Sequence, residues 1–180
     1  MVIFNKIYHA LKYVKRLSLI ISGIALAFMI LVISVDVFTR NIVSYGIPGS
    51  YEIVESIIMP TVIFWAFIIT YSSGSIPRID MLTEKFNENI KFAIGILLIS
   101  IDIFIYSLMT YYGWSRAEIA LTSGVSISAG GSLISIAPVF VFLPIGFLLV
   151  TIEAVFILIK MLIHKKYYYS VDSENEPMKE

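Results

Sequence analysis

The sequence predicts an all-α integral membrane protein: four transmembrane helices with accompanying amphipathic interfacial helices, and both termini cytoplasmic. Three observations carry this reading. The 180 residues are 58% hydrophobic and 14% charged, against roughly 25% charged in ordinary soluble domains, and mean hydropathy is +0.89. Four apolar runs are long enough to cross a hydrocarbon core of about 30 Å at about 1.5 Å per residue. Cations are unevenly shared between the connecting segments. With both termini cytoplasmic, the inner segments hold Lys6, Lys12, Lys15, Arg16, Arg78, Lys85, Lys91, Lys160, Lys165, Lys166 and Lys179, and the outer loops only Arg40 and Arg116. The positive-inside rule reads that asymmetry as orientation.

Residues 1–16 form the first element, an amphipathic N-terminal interfacial helix. Ile3, Ile7, Leu11 and Val14 recur at helical spacing, and Lys6, Lys12, Lys15 and Arg16 spread over the remaining surface with His9, a pattern suited to the surface of an anionic leaflet. A docking helix for a protein partner is the other reading. The four-helix membrane domain, 17–163, opens with a span over 17–38. That run exceeds the 7–15 residues of a signal-peptide core and lacks a small-residue cleavage site, so it is read as retained. Gly23 and Ala27 form a small-xxx-small pair that admits a neighbouring helix.

Asp36 to Glu55, D-V-F-T-R-N-I-V-S-Y-G-I-P-G-S-Y-E-I-V-E, brings charge into the ends of two apolar segments. Asp36 and Arg40 are four apart, so on a continuing helix they share a face and pair, while Glu52 and Glu55 share a face of the next helix. The G-I-P-G-S run between them is a turn. The second span covers 53–71. Pro60 lies inside it, removes a backbone donor and predicts a kink.

In 72–91, Ile79, Leu82, Phe86 and Ile90 recur at spacings of three and four, which predicts a second surface helix with Asp80 near its start; a solvated connector is the alternative. The third span, 92–112, carries Asp102 at its centre, where an unpaired charge costs roughly 2.5–3.5 kcal/mol on insertion scales, so the carboxyl is protonated, paired or facing protein. Residues 113–132, rich in Gly and Ser, read as an outer loop. The fourth span, 137–159, lies in the apolar run 133–163. Pro138 and Pro144 bend or extend its start, and Glu153, like Asp102, requires a partner on another helix. Residues 164–180 are a cytoplasmic tail.

Chemistry is as sparse as charge. The chain has no cysteine, which removes disulfides, thiolate catalysis and cysteine-ligated metals. Both histidines, His9 and His164, lie at the ends of apolar segments, away from the depth at which haem is held. No phosphate-binding loop, zinc spacing or nucleophile constellation occurs. The reading is therefore no enzyme, no cofactor and no metal, and the net charge of zero gives no signal for nucleic acid.

Taken in order, the basic start, D-V-F-T-R closing the first span, P-G-S-Y-E-I-V-E opening the second, then I-P-R-I-D-M-L, and S-L-I-S-I-A-P with L-P-I-G in the fourth resemble the small membrane subunit of tripartite ATP-independent periplasmic (TRAP) transporters. The resemblance spans about residues 5 to 163 and rests on the set in order. It aligns Arg40, Glu52, Glu55, Asp80 and the Pro144, Ile145, Gly146 triplet with family positions. A histidine that family members often carry before the loop aspartate is missing from S-I-P-R-I-D.

The resemblance implies sodium-coupled uptake of an organic acid, a carboxylate or sialic-acid-like compound. A periplasmic substrate-binding protein captures it and a large TRAP membrane subunit moves it inward. This chain is then the scaffold in the inner membrane, with lipid and those two proteins as its partners. Asp36, Arg40, Glu52 and Glu55 hold the junction of spans one and two, and Asp102 and Glu153 contact other helices. Two alternatives come from the residues alone. One is an autonomous four-helix proton-coupled exporter that uses Asp102 or Glu153; the other is a membrane adaptor of an unrelated complex.

Overall fold

The computed structural model describes residues 2–73 and 87–164, and the expected surface helix around Asp80 and the tail beyond 164 lie outside them. Helix α1 runs unbroken from Val2 to Val43. No glycine or proline occurs before Gly23, so nothing breaks the chain between the basic start and the first span, and the interfacial helix expected over 1–16 is continuous with that span. At about 1.5 Å per residue, α1 is about 63 Å long, about twice the hydrocarbon thickness.

The second apolar segment is composite. Helix α2 (Ser50–Ile53) leads into a π-helical turn, Val54–Ile58, and then into α3 (Met59–Ser72). The Met59 N–H donates to the carbonyl of Val54, five residues back, immediately before Pro60. A proline clashes with the carbonyl four residues earlier and offers it no donor; widening the preceding turn is one way a helix absorbs this. The kink expected at Pro60 thus takes the form of a π turn.

Helix α4 extends from Glu88 to Ser123, well past the end of the third predicted span, and closes on Gly124 at φ 62. The Val125 N–H bonds the Ala120 carbonyl, as in a left-handed helix cap. The segment expected to be an outer loop is therefore helical through 123. Its remainder is an antiparallel hairpin of β1 (Ser126–Ala129) and β2 (Ser132–Ser135), pairing Ser126 with Ser135 and Ala129 with Ser132. Gly130 and Gly131 make the turn at φ 59 and 87, the two positive values that a tight two-residue hairpin demands. A 3₁₀ turn, Ala137–Val141, then feeds α5, Phe142–His164. Pro138 opens the 3₁₀ turn and Pro144 lies in the first turn of α5, where a missing N–H costs no helical hydrogen bond.

Among the described residues, four helical segments are long and apolar enough to cross a membrane: Leu11–Val43, Ser50–Ser72, Asn89–Ser123 and Ala137–Ile163. Helix α5 is the central one, packed on α3 and α4, while α1 lies along α3. Leu11, Ile68, Tyr71, Ile99, Val150, Ala154, Ile157 and Met161 form the core. Because Leu11 and Met161 share it, and the rings of Tyr8 and Phe156 lie 5.9 Å apart, the N-terminal part of α1 and the C-terminal half of α5 occupy the same end of the bundle.

Candidate functional site

Polar groups concentrate in three clusters, the first at the end opposite the chain termini. Asp36, buried near the end of α1, is reached from two sides. Arg40 Nη2 donates to Oδ2 at 2.9 Å and the Ile47 backbone N–H to Oδ1 at 2.7 Å. One carboxylate thus ties the last turn of α1 to the loop that reverses the chain, where Ser44 takes a positive φ of 56. Gly46 passes so close that a Cβ there would stand 3.0 Å from both the Arg40 and the Asp36 side chains. Arg40 keeps most of its guanidinium exposed, its side chain being 66% accessible. Glu52 is half-buried and Glu55 is exposed on the π turn. No ion pair reaches either among the described residues, so the charge of Arg40 goes to Asp36 alone.

The hairpin is locked to this corner through backbone. A Cβ at Gly130 would lie 2.7 Å from the Pro48 carbonyl oxygen, and one at Gly49, itself at φ 83, would lie 2.7 Å from the backbone of Ala129 and Gly130. Gly49 precedes α2, and its carbonyl accepts the Ile53 N–H at 3.0 Å. The junction of spans one and two and the hairpin therefore form one surface.

In the last turn of α3, the Tyr71 hydroxyl donates a hydrogen bond to Asp102 of α4 at 2.9 Å. Tyr71 is 1% exposed and edge-on to Tyr106 at 5.7 Å, which stacks on Phe147 of α5 at 6.1 Å. One aromatic cluster thus joins three helices. Pro144 and Gly146 are contact points on α5. A Cβ at Gly113 of α4 would collide with Leu143, beside Pro144, and one at Gly146 would lie 3.0 Å from the Phe64 carbonyl of α3. Gly23, by contrast, has nothing within 4 Å of a Cβ, so among the described residues no helix packs against it.

Glu153, midway along α5, is fully buried and pairs with Lys15 of α1 at 2.5 Å. Lys15 was expected on the surface; it is 8% exposed. The buried face of α1 is Leu11, Lys15, Ser18 and Ser22, at spacings of four, three and four, and Ser22 donates to the Val62 carbonyl of α3 at 3.1 Å. That polar stripe is the signal by which the sequence marks Lys15, and a search for apolar periodicity passes over it. Tyr71, Gly113 and the Gly130–Gly131 turn also escaped the sequence reading; for the turn, the signal was Gly-Gly between two short β-compatible runs.

Fold and site together define a multi-pass helical membrane protein in which Asp36, Asp102 and Glu153 are engaged by side chains of the same chain. Residues 29–163 match the family model described as tripartite ATP-independent periplasmic transporters, DctQ component. The chain belongs to this family and is the small membrane component of a TRAP transporter. No curated protein and no solved structure matches it.

Proposed function

We propose that the chain scaffolds the large membrane subunit of a sodium-coupled TRAP transporter, for uptake of an organic acid delivered by a periplasmic binding protein. Its termini are cytoplasmic, and the corner built from Asp36, Arg40, Pro48, Gly49 and the hairpin faces the periplasm, near the docked binding protein. Glu52, Glu55 and Asp80 are further contact candidates on the same reading. The observation that carries it is the disposition of α1. Its polar stripe is spent on α3 and α5, while Ile24, Phe28, Leu31, Val35 and Phe38 stay exposed along the helix, an apolar flank suited to another membrane subunit.

The same disposition weighs against an autonomous exporter. A carboxylate that alternately takes up a cation and a proton must be open to both, whereas Glu153 is held by Lys15 and Asp102 by Tyr71. The test is purification of the tagged chain in mild detergent from cells that express the neighbouring membrane proteins. Consistent recovery of one large polytopic protein, with uptake by the pair when the binding protein is supplied and none by this chain alone, is expected. Recovery only as a homo-oligomer that transports by itself would overturn the proposal.

A further inference from the structure

At the end of the bundle that holds both chain termini, a cleft of about 470 Å³ opens between α1 and the last turn of α3. Its α1 wall is graded. Lys12, Tyr13, Lys15 and Arg16 come first along it and Leu19 follows one turn on; Ile69 and Ser72 of α3 form the opposite wall. Lys12 to Leu19 is seven residues, a rise of about 10 Å along the helix, so the lining changes from cationic to apolar over the depth at which a bilayer changes from headgroup to acyl chain.

Lys12 and Arg16 are exposed and one turn apart. Arg16 makes no ion pair within the described residues, while its neighbour Lys15 is turned inward to Glu153. A guanidinium at such a site presents a planar fork matched to phosphate oxygens, and basic clefts between membrane helices are suited to anionic headgroups. We propose that this cleft seats the headgroup of an anionic phospholipid, its phosphate between Lys12 and Arg16 and an acyl chain descending past Leu19 and Ile69. The exposed apolar side chain beyond the cations argues for lipid over free phosphate, because a phosphate ion gains nothing from Leu19, which is 56% exposed. The seat is separate from the Asp36 corner and does not rest on the proposed scaffold role.

The experiment is native mass spectrometry of the full-length chain, delipidated in mild detergent and titrated with phosphatidylglycerol or phosphatidylcholine of the same acyl chains. Phosphatidylglycerol is expected to be retained about tenfold or more over phosphatidylcholine. The K12Q/R16Q double variant should lower it to the phosphatidylcholine level, and R40Q, at the other end, should leave it unchanged. Both cations are exposed, so unchanged thermal unfolding of the double variant without lipid would separate lost binding from lost fold. Equal retention of the two lipids, or retention unchanged in the double variant, would overturn the proposal. Millimolar inorganic phosphate protecting the chain from heat as well as phosphatidylglycerol does would overturn the lipid assignment.

Discussion

The Lys15–Glu153 pair admits a quantitative test of how α1 is held. Glu153 is 0% exposed and Lys15 8%, so replacing either alone strands the other as a buried charge. Removing one partner of such a pair typically costs about 3–5 kcal/mol, whereas replacing both with apolar side chains of similar volume is often neutral or stabilising. Lys15→Met and Glu153→Leu should each lower the unfolding midpoint by about 6–20 °C, at about 2–4 °C per kcal/mol for a chain of this size. The Lys15→Met/Glu153→Leu double variant should recover most of that loss, a non-additivity that a double-mutant cycle reads directly. Tryptophan fluorescence in detergent suits the assay, since the chain has two tryptophans and no cysteine for thiol dyes, and Trp65 packs against Phe142 at the α3–α5 contact. Single variants within about 1 kcal/mol of wild type, or a double variant as unstable as the sum of the singles, would refute the claim that the pair bridges α1 and α5 in a water-poor interior.

Further outcomes follow from the remaining contacts. Tyr71→Phe deletes the donor to Asp102 and should cost about 1–3 kcal/mol, measured by the same melt, with little effect expected in an Asp102→Leu background. Gly113→Val drives a branched side chain into Leu143 at the α4–α5 crossing, and overpacking of this kind costs about 1–3 kcal/mol; a midpoint equal to wild type would show that the crossing relaxes freely. Asp36→Ala removes the acceptor for both Arg40 and the Ile47 N–H, so it should reduce the yield of co-purified complex more than Arg40→Ala, which leaves the backbone bond without its neighbour but not without its acceptor. Arg40→Ala should itself lower complex yield while leaving the sodium dependence of uptake unchanged; a shifted sodium dependence with normal assembly would contradict the proposed role of the corner. Gly49→Ala places a side chain at positive φ against the hairpin turn and should reduce assembly, read as complex recovered per unit membrane.

Hydropathy is additive along a chain, so the existence and order of four helices long and apolar enough to cross a membrane were legible before any fold was known. Local spacing likewise placed Asp36 and Arg40 in reach of each other, because i and i+4 meet on any helix. The burial cost of Asp102 and Glu153 required partners, but spacing cannot name a partner on another helix. Tyr71 and Lys15 emerged only when α3 met α4 and α1 met α5. Apolar periodicity is also a poor guide in lipid, where an outward apolar face is as well solvated as an inward one and helices pack through small and polar residues instead. Leu11, Lys15, Ser18 and Ser22, mostly polar, form the buried face of α1 from residue 11 to 22, while Leu17, Leu19, Ile20, Ile24, Phe28 and Leu31 are exposed.

Composition and hydropathy by themselves determined a membrane protein with four helices long and apolar enough to cross, and a short set of ordered motifs pointed to its family. Only the tertiary structure decided which charges are paired and which glycines set helix approach. It also decided that the Gly/Ser-rich segment divides into helix and hairpin. Each of these depends on contacts between residues far apart in sequence, in a medium where hydrophobicity no longer distinguishes inside from outside.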